Sequence, residues 1–381
     1  LENLSKLSYP ELATEILYNF CSDNLSKEKL RSLIEDAYKN FEDKDVVTIR
    51  KIGNTSLLEL YHGPTLAFKD IAMQVIGNMY DQLKVADTNP VNILVATSGD
   101  TGSAAIAALN DRKNINVFVL HPHNKISNVQ RKIMTTIGSN NIFNIAIEGS
   151  FDDCQRIVKE LFNEDDFREK INMSGVNSIN WARIICQIVY YFYAYFSLKK
   201  EKLSFSVPTG NFGDVYAGYI AKRMGLPIDK LIVATNENDI LQRVINTGEY
   251  KPGKVKPSLS PSMDIQVSSN FERLLFYILK EDDQKVSSLM KKLKDQGSFK
   301  LEKKELNQIK KDFKAVRISD EETLQIIKEI YDKEKFIIDP HTATAFGAVQ
   351  KSEELKNKVV LGTAHPYKFF ETVKKATGEI I

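Results

Sequence analysis

Apolar positions near the start of the chain recur at helical spacing. Leu12, Ile16 and Leu17 follow a Ser8 and Glu11 pair at capping-box separation, with Pro10 tolerated in the first turn, so a helix is expected there. A second is predicted over Lys27 to Phe41. The rhythm then changes to short β-branched runs, beginning with Val46 to Ile52 and Leu57 to Tyr61. Further strands are predicted at Val91 to Ala96, Val117 to His121, Ile142 to Ile147, Phe205 to Val207, Leu231 to Ala234, Phe336 to Ile338 and Val359 to Leu361, most followed by a helix-like segment. Such alternation specifies an α/β protein with parallel sheets. The long helical stretch from Asn180 to Lys200 divides an earlier strand set from a later one, which favours two sheets over one. The lysine-rich stretch from Glu281 to Asp320 is weakly patterned and reads as a solvated helical surface.

Composition narrows the function classes. A chain of 381 residues exceeds a single small core and favours two domains or one large α/β unit. Lys and Arg total 52 against 50 for Asp and Glu, so no basic field gathers nucleic acid. Cys21, Cys154 and Cys186 are scattered and form no CxxC pair, which argues against a disulfide framework or zinc ribbon and for a reducing, cytoplasmic home. The most apolar stretch, Ile184 to Leu198, falls short of the roughly 20 residues of a spanning helix and contains Gln187 and several tyrosines. It reads as a buried helix or subunit contact, with no membrane partner. The start, with acidic Glu2, lacks a signal-peptide pattern.

Candidate chemistry sits at four strand-to-loop-to-helix junctions, where open α/β sheets place ligands. The first, His62 to Asp70, delivers Lys69 to the start of a helix over Ile71 to Leu83. There the positive end of the macrodipole disfavours an ammonium and helps keep an amine neutral, as imine formation requires. Alone, the segment reads as carrying a surface lysine. The second, Thr97 to Ser103, combines two glycines, hydroxyl residues and a helix N-terminus into a nest of N–H groups suited to a carboxylate or phosphate, or into an elaborate N-cap. The third, Pro208-Thr209-Gly210-Asn211-Phe212-Gly213-Asp214, suits a small phosphate monoester. It lacks the Gly-Lys-Ser/Thr of a P-loop, and the absence of GxGxxG removes support for dinucleotides. The fourth, Leu361 to Pro366, places Thr363 either against a ligand ring nitrogen or as the cap of a helix starting near Tyr367. His121 and His123 flank Pro122, but without HExxH or a carboxylate triad they read as loop histidines, and no GxSxG elbow is present.

Together these loops resemble a specific family. HGPTLAFKD, ATSGDTGSAA, NSINWARI, PTGNFGD, ATNENDIL, SMDI, SSNFERLL, DPHTA and LGTAHP occur in the order seen in threonine synthases, from about Leu57 to the C-terminus. The resemblance implies the tryptophan synthase β-like fold, pyridoxal-phosphate (PLP) fold type II, in which two open parallel-sheet α/β domains hold pyridoxal 5'-phosphate between them, here with added N-terminal helices. It divides the chain into residues 1–69 (N-terminal helices and the start of the large domain), 70–190 (the smaller domain) and 191–381 (the large PLP-binding domain). Lys69 becomes the Schiff-base lysine, Gly210, Asn211, Phe212, Gly213 and Asp214 the cofactor phosphate cradle, and Thr363 the partner of the pyridine nitrogen. Family members usually begin with a further segment bearing a DGG-type motif, and this chain begins beyond it.

The reaction so implied converts O-phospho-L-homoserine and water into threonine and phosphate. Ser98, Asp100 and Thr101 would hold substrate, and its phosphate, which needs cationic partners as it leaves, has Arg183 and Lys125 as candidates with Asn180 and Ser98 as neutral donors, although the place of Arg183 at a helix start also suits an ordinary capping salt bridge. Two other functions compete: a phospho-lyase on the same scaffold that releases 2-oxobutyrate, and a non-catalytic PLP-binding protein.

Overall fold

The computed structural model describes residues 1–83 and 89–379. The chain divides into two compact units, one made of Val47–Glu59 with the chain from Tyr190 onward, the other of Glu2–Val46 and Leu60–Val189.

The first unit is organised by a six-stranded sheet in the order Thr48–Ile52, Thr55–Glu59, Lys358–Gly362, Leu203–Pro208, Ile228–Thr235, Phe313–Arg317. Every pairing inside the outer hairpin is parallel, and the central strand Leu203–Pro208 is buried throughout, as expected where helices cover both faces. Only the edge hairpin is antiparallel, turning at Gly53 with φ +53°. Its core joins Leu57, Ile232, Val360, Ile318, Ile326 and Phe346. The second unit has an all-parallel four-stranded sheet, Ile142–Ile147, Ile115–Pro122, Val91–Ala96, Met173–Ser174, with Leu94, Ala96, Leu120, Cys154 and Val158 in its core. The predicted capping box forms at helix Tyr9–Cys21, where Ser8 N–H donates to Glu11 Oε2 at 3.0 Å.

Four expectations are corrected. The hairpin Thr48–Glu59 belongs with the later strands, because Ser56, Leu57 and Leu58 pair in parallel with Val359, Val360 and Leu361, so the long helix does not separate the strand sets cleanly. Phe336 to Ile338 is not a strand but a connector between helix Asp320–Glu334, closed by left-handed Lys335, and helix Pro340–Gln350, capped by Asp339. The run is apolar because Ile338 joins the core and Phe336 packs against it, with the Arg50 guanidinium 4.5 Å over its ring. Within the lysine-rich stretch, helices Asp283–Gln296 and Lys303–Asp312 are followed by the edge strand Phe313–Arg317, disguised by the Lys314 and Arg317 charges that commonly blunt sheet edges. His121 is not a loop residue: it is buried in strand Ile115–Pro122. The apolar helix Trp181–Leu198 buries Ile184, Ile185, Ile188, Val189, Tyr190 and Tyr191, and no helix among the described residues is long and apolar enough to cross a membrane.

Candidate active site

In the first unit, the neighbouring parallel strands Leu203–Pro208 and Lys358–Gly362 pair Val360 with Ser206, so both deliver their following loops to one end of the sheet. Thr209 to Phe212 leaves the first strand, and helix Gly213–Arg223 begins directly after Phe212, which sits in the left-handed region at φ +64°. A non-glycine residue held there is uncommon and needs its surroundings to fix it. Phe212 is buried, with the rings of Phe271 and Phe313 each at a 5.5 Å centroid separation. The first i→i−4 bond of the helix runs from Tyr216 N–H to Phe212 O at 3.1 Å, so the earlier amides of Gly213 to Val215 lie ahead of the helical ladder. Aligned amides at a helix N-terminus form a site for a phosphate.

Space at Gly210 is tight. A Cβ there would lie 3.0 Å from Ile265 Cγ1 and 3.1 Å from both Met263 Cα and Ser262 O. The loop is also tied from behind: Ser268 Oγ donates to Gly210 O at 2.8 Å, and Asn270 Nδ2 and N–H both donate to Asn211 O at 3.1 Å. The Ser262–Ile265 segment is fixed in turn. Asp264 accepts from Ser258 Oγ at 2.6 Å, Asn236 Nδ2 at 2.8 Å, Asn238 Nδ2 at 2.9 Å and Ser258 N–H at 3.0 Å, while burial pushes its carboxyl above the ordinary range. Ser262 N–H donates to His341 Nε2 at 3.3 Å, and His341 Nδ1 lies 2.7 Å from Asp339 Oδ2, which assigns the ring hydrogen to Nδ1. Asp214, expected in the cradle, turns its side chain elsewhere, its Oδ1 accepting from Tyr190 Oη at 2.5 Å and Tyr191 Oη at 3.0 Å. At the loop this leaves the Asp214 backbone.

Thr363 follows strand Lys358–Gly362, is buried, and its hydroxyl makes no hydrogen bond to another described residue. It does not cap the next helix. His365 does, its Nδ1 accepting from Tyr367 N–H at 3.2 Å.

In the second unit, Lys69 opens helix Lys69–Leu83 and is 9% exposed. The preceding loop is closed by Asp70, which accepts from Thr65 N–H at 2.8 Å and Thr65 Oγ1 at 2.6 Å, and a Cβ on Gly63 would come within 2.4 Å of Asp70 Cβ. The Lys69 Nζ lies 3.2 Å from Asp100 Oδ2 and 4.7 Å from the Phe68 ring centroid. In the Ser98 to Thr101 loop, Thr97 Oγ1 accepts from Gly99 N–H at 2.9 Å and Gly102 N–H at 2.8 Å. This pins the turn into helix Asp100–Leu109 and leaves the Ser98 and Thr101 hydroxyls without a partner among the described residues. Structure therefore brings Asp100 to Lys69, leaving the two hydroxyls as uncommitted polar groups of the loop.

The three remaining candidates differ in commitment. Asn180 uses both ends of its amide, accepting from Ala182 N–H at 2.9 Å and donating to Gly175 O at 3.0 Å. Arg183 is 2% exposed and its NH1 group donates to Val176 O at 3.2 Å, while Lys125 is exposed with Nζ on Gly149 O at 2.9 Å. Sequence reading passed over Gln130, Asp70, Asp264 and His341. Gln130 had a signal, the Ser127-x-x-Gln130 capping-box spacing. The others act through side-chain pairs whose partners are set by the turn geometry, which spacing alone does not encode. Thiol chemistry is disfavoured at Cys186, where burial pushes the thiol up to about 12. Among the described residues no cluster of three or more His, Cys, Asp or Glu is arranged to hold a metal ion.

The described residues thus offer a helix-start lysine in one unit, and a glycine loop followed by a helix together with an uncommitted threonine in the other. The family described as "Pyridoxal-phosphate dependent enzyme" matches residues 57–363, so the chain is a member of that class. "Threonine synthase N terminus" matches residues 1–38. The threonine synthase of Pseudomonas aeruginosa is 46% identical over 375 residues, 97% of this chain and 80% of that protein, and that of Saccharomyces cerevisiae is 41% identical over 409 residues, 98% and 80%. The crystal structure of PLP-bound threonine synthase from Brucella melitensis superposes with a TM-score of 0.95 at 44% identity, covering 100% of this chain and 83% of that one. The chain belongs to the threonine synthase family.

Proposed function

We propose that this chain converts O-phospho-L-homoserine and water to L-threonine and phosphate, with pyridoxal 5'-phosphate as cofactor. The observation carrying this reading is the pair of built loops, Gly210 to Asp214 with little room for a Cβ at Gly210 and Thr97 to Thr101 pinned by Thr97 Oγ1, in a chain 46% identical to a threonine synthase. The donor sets fit the cofactor: amides at a helix start for a phosphate, a neutral hydroxyl at Thr363 for a ring nitrogen, and a buried primary amine at Lys69 for the carbonyl carbon. When bound, the cofactor supplies an electron sink for negative charge on the substrate carbons.

The chain's own residues do the rest. Gly210, Asn211, Phe212, Gly213 and the backbone of Asp214 would bind the cofactor phosphate, and Thr363 would offer a neutral hydroxyl to the ring nitrogen. Lys69 would hold the cofactor and, as a free amine, would take and return protons at the substrate carbons through Nζ. Ser98, Thr101 and the helix amides following Gly99 hold the substrate carboxylate. Arg183 and Lys125, with Asn180, are assigned to the substrate phosphate, whose charge grows as the carbon–oxygen bond breaks. Free thiols at Cys21, Cys154 and Cys186 support a cytoplasmic location.

Bond cleavage on the carbon side of the ester has an isotopic signature. With O-phosphohomoserine in water enriched in heavy oxygen, the label is expected in the threonine β-hydroxyl and not in the released phosphate. Labelled phosphate with homoserine as product would mean hydrolysis at phosphorus and would overturn the reading.

A further inference from the structure

The sequence places Lys69 where the positive end of a helix dipole opposes an ammonium, yet the folded chain sets a carboxylate against it. Burial and the helix start oppose a charge on Nζ, and the facing carboxylate favours it. Asp100 Oδ2 lies 3.2 Å from Nζ, and both side chains are buried.

The carboxylate is itself held in place. Gln130, 1% exposed, donates from Nε2 to Asp100 Oδ1 at 2.8 Å, while Oδ2 faces the lysine. Asp100 is also the first residue of helix Asp100–Leu109, where a negative charge is favoured. Gln130 is fixed from its other side, its Oε1 accepting from Ser127 N–H at 3.4 Å in the capping box of helix Asn128–Thr135. Gly99 completes the arrangement. Its φ of +134° is suited to glycine, and a Cβ there would stand 2.4 Å from Gln130 Cδ, so the amide can reach Asp100 only because residue 99 lacks a side chain.

We propose that Asp100 is the counter-ion of Lys69 and that Gln130 positions it, making Asp100 a proton-holding partner for the lysine's acid–base work. This rests on Lys69 being the cofactor-bearing lysine. When Lys69 takes a proton from a substrate carbon, the electron pair stays on that carbon and the new ammonium faces Asp100 Oδ2. The same proton is later returned from Nζ to substrate, and no other reactant is needed. While the amine is bonded to the cofactor, Asp100 keeps a buried donor in Gln130 and the helix start, so its charge is not stranded.

The test reads the lysine without catalysis. Cofactor-depleted full-length protein is treated at neutral pH with a small amine-acylating reagent, and modification of Lys69 is followed by peptide mass spectrometry against exposed Lys351 as internal reference. Asp100→Asn removes the charge at nearly constant shape and is expected to raise the Lys69 acylation rate at least about tenfold, the change for one pKa unit. Asp100→Ser, a residue suited to a helix start, carries the same expectation should the asparagine variant fail to fold. Asp100→Glu keeps the charge and is expected to stay within a fewfold of the native rate. A native rate in both neutral variants, with unchanged melting, would overturn the proposal. That outcome leaves the assignment of Lys69 untouched, because the assignment is read separately from cofactor absorbance in Lys69→Ala.

Discussion

Lys69→Ala is expected to abolish the visible absorbance of the lysine-bound cofactor and to lower turnover of O-phosphohomoserine by about a thousandfold or more, the middle of the range for a positioned general acid–base. The size of the effect follows from the two roles assigned to one amine, bearing the cofactor and moving protons. Both vanish together. The variant also takes one partner from Asp100, 3.2 Å from Oδ2, while Oδ1 keeps Gln130, so melting must be checked alongside activity. Partial recovery of turnover by a small exogenous primary amine separates loss of the amine from loss of the fold. Native absorbance and native turnover in Lys69→Ala would remove the residue from the mechanism.

Gly210→Val is expected to weaken cofactor binding far more than Thr363→Val. At Gly210 the new Cβ meets Ser262 O and Met263 Cα at 3.1 Å, and those are backbone atoms of a segment held by Asp264 and by His341. The loop must give way instead. Overpacking of this kind costs about 1–3 kcal/mol, corresponding to roughly fivefold to more than hundredfold in affinity, and it displaces several phosphate-binding amides at once. Thr363→Val removes one neutral hydrogen bond, worth about 0.5–1.5 kcal/mol, or about two- to tenfold. Cofactor titration of the depleted variants reads the order directly. Equal affinities would argue that the Gly210 loop does not bind the phosphate.

The hydrophobic pattern was sufficient to reveal the buried strands Val91–Ala96, Leu203–Pro208 and Lys358–Gly362, because a strand covered on both faces must be apolar along its length. Phe313–Arg317 escaped notice because an edge strand can afford charges, and Phe336 to Ile338 misled because burial alone selects apolar residues, whether or not a ladder forms. The same division holds at the site. Lys69, Gly210 and Thr363 stand out at strand-to-helix junctions, where glycine and hydroxyl residues carry positional meaning. Gln130 and His341 did not, since each acts by reaching another segment, Asp100 in one case and Ser262 in the other, across a separation that only the fold closes. The sequence led to Asp100 being read as part of a substrate loop, but its direction toward Lys69 was not legible.

Synthase and lyase chemistry share Lys69, the cofactor and the departure of phosphate, so neither absorbance nor a phosphate assay distinguishes them. They part only afterwards, when the site must hold the unsaturated four-carbon fragment for attack by water or let it escape and hydrolyse to 2-oxobutyrate. Holding is the work assigned to Ser98, Thr101 and the amides at the start of helix Asp100–Leu109. The most direct measurement is therefore the carbon balance of a stoichiometric reaction with O-phosphohomoserine, followed by chromatography. Threonine matching released phosphate mole for mole, with only minor 2-oxobutyrate, is the expected result; 2-oxobutyrate as the principal carbon product would contradict it.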